Sequence, residues 1–105
     1  MTLFLEMLSL FVAAFVQNMA FTWASRSRNS GDPRYHRYAS ICSNGIWFAT
    51  NILIFKQLTE AMASGEYWKI GVVAAVYIIA TTEGSVLMMK ILLKNESGKR
   101  KVGAT

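Results

Sequence analysis

Three apolar runs, at residues 3–24, 39–62 and 67–93, constrain this chain more than any other feature. The first is broken only by Glu6, Ser9, Gln17, Asn18 and Thr22. A hydrocarbon core takes about 20 helical residues to cross, and this run supplies them. A cleaved secretory signal has a basic start, a shorter apolar stretch and a small-residue cleavage site. Here no Lys or Arg precedes Arg26, so the run reads as a retained span. The second run is the most mixed. Ser40, Cys42, Ser43, Asn44 and Gly45 open it, residues 46–55 form its apolar stretch around Thr50 and Asn51, and Lys56 intrudes. Hydropathy alone leaves it as a span or as an interfacial or re-entrant segment. The third run is the strongest, interrupted mainly by Lys69, Thr81, Thr82, Glu83 and Ser85.

Composition agrees with lipid as the solvent. Of 105 residues, 53% are hydrophobic and only 16% charged, against about a quarter charged in a soluble domain. The mean hydropathy is +0.31. A disordered basic tail does not hold so many apolar residues, and a multi-domain enzyme does not fit this length. One Cys and one Pro exclude a disulfide framework within the chain and favour uninterrupted helices. The expected fold is a single all-α membrane domain: three transmembrane helices in a small antiparallel bundle.

Orientation follows from the basic residues. Segment 25–38 carries Arg26, Arg28, Arg34 and Arg37, with Gly31-Asp32-Pro33 as turn chemistry. Segment 94–105 carries Lys94, Lys99, Arg100 and Lys101. The turn at 63–66 has no basic residue and is bounded by Glu60 and Glu66. The positive-inside rule makes 25–38 a cytoplasmic loop and 94–105 a cytoplasmic tail, with the N-terminus outside. Two spans would split the basic segments between opposite faces, so their agreement argues for three. Trp23, Tyr35 and Tyr38 fall at the expected inner interface, and Tyr67 and Trp68 at the outer one. The eight cations are accounted for by topology and anionic headgroups, without nucleic acid.

Polar residues within the spans are the candidate functional groups, because a charge there costs about 2.5–3.5 kcal/mol and turns toward protein or water. Counting about 1.5 Å per residue, Glu6 and Lys56 both fall in the outer half, roughly 10 Å and 7 Å from the midplane. They form an ion pair, or each snorkels separately to the interface. Glu83 lies just to the cytoplasmic side of the centre, with Ser85 beside it. Gln17, Asn18 and Asn44, with Ser43, fall in the same half, and Asn51 lies farther along the second span. Such a cluster either lines a wet cavity, pore or proton path, or locks helices by hydrogen bonds. Small-residue pairs Gly71/Ala75 and Ala80/Gly84 allow close helix approach, and a homo-oligomer is expected. His36 is expected in the solvated basic loop, and Cys42 has no second Cys. No phosphate loop, HExxH or GxSxG is present; no enzyme activity, metal or cofactor is expected.

The stretches Ser25-Arg26-Ser27-Arg28-Asn29, Tyr35-His36, Ser43-Asn44-Gly45-Ile46-Trp47-Phe48 and Gly84-Ser85-Val86 resemble a group of three-span membrane proteins of about a hundred residues, often encoded by tailed bacteriophages and largely of unassigned function. The architecture is also similar to that of class I phage holins, without a shared motif and without the basic N-terminal extension that some holins have. The resemblance implies a protein of the bacterial host's inner membrane that oligomerises and permeabilises it, with Glu83, Asn18 and Asn44 along the lumen. Two other functions remain open on the residues alone. One is docking on a host membrane protein, as in superinfection exclusion; the other is a small transporter subunit with Glu83 as the cation site.

Overall fold

The computed structural model describes residues 2–95, and within them the chain is three helices joined by short turns: α1 (Leu3–Ser27), α2 (Pro33–Ser64) and α3 (Trp68–Asn95). Lys99, Arg100 and Lys101 lie outside the described residues. At about 1.5 Å per residue, 25, 32 and 28 residues give helices longer than the roughly 30 Å hydrocarbon core. All three are long and apolar enough to cross a membrane.

The turn between α1 and α2 is much shorter than segment 25–38. α1 runs on through Ser27, and α2 begins at Pro33, so only residues 28–32 lie outside helix. Asp32 is the reason. Its carboxylate Oδ1 accepts from the backbone N–H of Arg34 (3.0 Å) and of Tyr35 (3.4 Å), while Pro33 takes the first helical position, where a missing N–H costs nothing. Asp-Pro, read as a turn, is here a helix start, and Arg34 and Arg37 stand on the first turns of α2.

The other connection is a glycine-terminated helix end. Gly65 adopts φ 77°, its N–H bonds to Met62 O (3.2 Å) and the Glu66 N–H to Ala61 O (3.0 Å), which satisfies the last carbonyls of α2. A Cβ there meets left-handed strain, so Gly65→Ala should cost about 1–2 kcal/mol, read as a lower unfolding midpoint in detergent. Beyond it, Lys69 Nζ lies 3.1 Å from Glu66 Oε1. That hydrogen bond, another from Ser64 and the lysine charge hold the Glu66 carboxyl below its usual range. The restraint is present above the ordinary carboxylate range and is lost as pH falls through the lowered value.

α1 is the shared element. Its contacts pair Glu6 with Gln57, Ala13 with Thr50 and Ser27 with His36, so α2 runs against it. They also pair Gln17 with Tyr77, Asn18 with Thr81 and Thr22 with Ser85, so α3 runs with it. α2 and α3 touch each other far less than either touches α1. The buried seam is made of small residues: Ala14, Ala20, Ala24, Ala39, Ala61 and Ala80, with only Leu10 and Val73 larger among the buried apolar side chains. Phe4, Phe21, Ile41, Phe48, Ile52, Phe55, Ile78 and Ile79 instead point outward. A water-soluble domain buries such residues. Helices solvated by lipid gain nothing by hiding them and associate through small and polar faces.

The closest approach is at Gly84. An added Cβ there would run into the backbone of Phe15, meeting its carbonyl oxygen and lying 3.0 Å from its carbonyl carbon and 3.1 Å from its Cα. Of the two pairs Gly71/Ala75 and Ala80/Gly84 on α3, the second is therefore used against α1, whereas Gly71 and Ala75 are exposed.

Candidate functional site: a polar groove and an outlying carboxylate

Three polar contacts tie α1 to α3 in register. Gln17 Nε2 lies 3.0 Å from the Tyr77 hydroxyl, Asn18 Nδ2 donates to the carbonyl of Thr81 at 3.0 Å, and the Thr22 and Ser85 hydroxyls are 2.8 Å apart. On the α2 side, Thr50 Oγ1 donates to Ile46 O in its own helix (2.9 Å) and reaches Ala13 O (3.4 Å), while Gln57 Nε2 donates to Glu6 O (3.0 Å). Gln17, Asn18 and Ser85 thus act first as packing groups. Tyr77, Thr22, Thr81, Thr50 and Gln57 share that work, and the sequence reading missed them as contacts because hydroxyls and amides scatter through any span.

Above this seam lies an open groove of about 430 Å³, lined by Gln17, Asn18, Phe21, Ser43, Asn44, Trp47 and Tyr77. Of the expected cluster of Glu83, Asn18, Asn44 and Ser43, the last three line this groove, with Gln17 beside them. A second crevice of about 330 Å³ lies between α2 and α3, lined in part by Asn51 and Leu58, and shares Tyr77 with the first. On α2 the lining residues Asn44, Trp47, Asn51, Ile54 and Leu58 recur at alternating three- and four-residue steps, the spacing of a helix face that packs on another helix. Polarity is uneven along it. Asn51 turns its amide to Trp47 O in its own helix (2.8 Å), whereas Asn44 and the Trp47 indole N–H make no hydrogen bond among the described residues. Gln17 is only 4% exposed, yet its Oε1 has no partner. Turning the amide over would move the vacancy to Nε2, so one end of this buried group stays unpaired either way.

Glu83 is not in the groove. It is exposed, because Ala80 and Gly84 take the α1-facing side of α3 and Glu83 is turned about 100° from Gly84. The expected cluster of Glu83 with Asn18 and Asn44 within one chain is corrected on this point. The Glu6–Lys56 ion pair is also not formed: Lys56 is exposed, and its neighbour Gln57 faces α1 and bonds to the Glu6 backbone. One residue of helical rotation separates the two outcomes.

The basic groups divide. Arg28, Arg34, Arg37 and Lys94 are exposed, but Arg26 is buried in the last turn of α1. His36, expected in solvent, is half-buried: its Nδ1 lies 2.8 Å from Ser27 Oγ and its Nε2 3.3 Å from Ser40 Oγ. With the Trp23 indole donating to the Tyr35 hydroxyl at 2.6 Å, it fastens the start of α2 to the end of α1. No family model, curated protein or solved structure matches the chain.

Proposed function

We propose that the chain is a small phage-type protein of the bacterial host's inner membrane that oligomerises there and permeabilises it in the manner of a holin. One observation carries this reading: among the described residues, a single copy leaves Glu83 and the Asn44–Trp47 face of α2 without partners on a surface of exposed Phe, Ile and Trp. A carboxylate in lipid is costly, and association with further helices relieves that cost. In the assembly the three helices form an antiparallel bundle, N-terminus out and C-terminus in. Arg28, Arg34, Arg37 and Lys94 hold the inner face against anionic headgroups.

Two measurements test the proposal. Reporter fusions at residues 31 and 65 should report opposite compartments, with 31 cytoplasmic; a shared compartment would remove the three-span topology. Induced expression in a bacterial host should produce an abrupt loss of membrane potential after a lag. Steady growth with the protein abundant in the membrane would sink the permeabilising role.

A second reading is favoured by the helix-spaced stripe along the crevice: a host membrane protein's helix docks there and its complex is altered. Affinity purification after crosslinking would then recover one dominant foreign partner instead of self-assemblies. For a transporter subunit, Glu83 lies off the groove, so a cation path would have to be completed by several chains. Loss of uptake in Glu83→Gln, with insertion intact, is what that role requires.

A further inference from the structure

We infer that Glu83 of one copy seats in the Gln17–Asn44–Trp47 groove of the next, so that copies join head to tail. This rests on the self-association proposed above and specifies its contact. The first argument is depth. Asn18 meets Thr81 and Thr22 meets Ser85, so Glu83 is level with the stretch of α1 between Asn18 and Thr22. Thr50 meets Ala13 and His36 meets Ser27, so the same level on α2 falls at Asn44. Copies lying the same way up in one bilayer therefore present the carboxylate and the groove at a single depth.

The second argument is chemistry. Glu83 offers only acceptor oxygens when ionised, and a lipid tail offers nothing to bond them. The groove holds donors without partners: the Asn44 amide and the Trp47 indole N–H. At about 1.5 Å per residue, Asn44 in the groove lies about 10 Å from the midplane, inside the hydrocarbon on the cytoplasmic side, and Glu83 is the carboxylate this chain carries at that level.

The third argument is direction. Tyr77 is the α3 residue that lines the groove; six residues separate it from Glu83, which sets the two side chains about 120° apart around the helix. The carboxylate therefore points well away from the groove side of α3. A copy can give Glu83 on one side and receive it on the other, a heterologous contact that builds rings or open chains and not a closed pair.

Disulfide mapping in bacterial membranes tests this. With Cys42→Ser throughout, one tagged copy carries Leu87→Cys and a differently tagged copy carries Ser40→Cys, each one turn from Glu83 or Asn44 at matching depth. Oxidation should give the 40–87 product in excess over 40–40 and 87–87. Asn44→Asp in the receiving copy places like charges together and should weaken that product about three- to tenfold, the scale of an interhelical polar contact in a membrane. Glu83→Gln in the giving copy should then restore it, which a misfolded Asn44→Asp chain would not allow. Dominance of 87–87 or 40–40 in an oligomer overturns the head-to-tail contact while leaving self-association standing. A foreign protein captured at position 40 in place of a second copy overturns it too. A chain of monomer mass in nanodiscs overturns both the contact and the self-association beneath it.

Discussion

Gly84→Leu should separate α3 from α1. The Cβ alone would collide with the Phe15 backbone, and a backbone, unlike the end of a side chain, has no alternative rotamer to move into. Gly84→Ala should already cost about 1–3 kcal/mol as overpacking, and the leucine more, because the helices must part along their length. The loss would take the Gln17, Asn18 and Thr22 contacts with it, since all three span the same seam. Gly71→Ala is the matched control. Nothing lies within 4 Å of the Cβ position at Gly71, so the substitution should stabilise by up to about 1 kcal/mol through helix propensity alone. Reversible unfolding in mixed micelles, followed by energy transfer between labels at the ends of α1 and α3, reads both. Equal stability of the two alanine variants would mean that α1 and α3 do not approach at Gly84.

The second large effect is expected from removing two polar rungs together. Asn18→Leu deletes the donor to Thr81 O, and Thr22→Val deletes the partner of the Ser85 hydroxyl. Interhelical hydrogen bonds in membranes average about 0.6 kcal/mol and reach about 1.7, so the double variant should lose about 1–3 kcal/mol. Asn51→Leu should change much less, because that amide bonds within its own helix. The same micelle titration orders the three. An Asn51→Leu loss as large as that of the double variant would show that polarity itself, and not the α1–α3 register, sets stability.

The three helices were legible in the sequence because lipid imposes a length: about 20 apolar residues must run together, and breaks in that run are conspicuous. Position along each run was legible for a related reason: a helix rises by a fixed amount per residue, so Gln17, Asn18, Asn44 and Glu83 count to the same half of their runs, and the first three line one groove. The start of α2 was misjudged because Asp-Pro serves both as a turn and as a cap with its first helical residue. Only the hydrogen bonds of Asp32 to Arg34 and Tyr35 distinguish them.

What a helix count cannot supply is azimuth. In a soluble protein the apolar stripe announces which side faces in, but these helices are apolar nearly all round, and lipid accepts a phenylalanine on any side. Gly71 and Gly84 therefore looked alike, Lys56 stood as well placed as Gln57, and Glu83 was as apt to face inward as outward. Run length set the number of helices and the position of every polar group along them before any folding. The rotation of each helix was settled only by packing: where backbone can approach backbone at Gly84, and where an amide finds a carbonyl across the seam. Those contacts turned Glu83 away from its own chain.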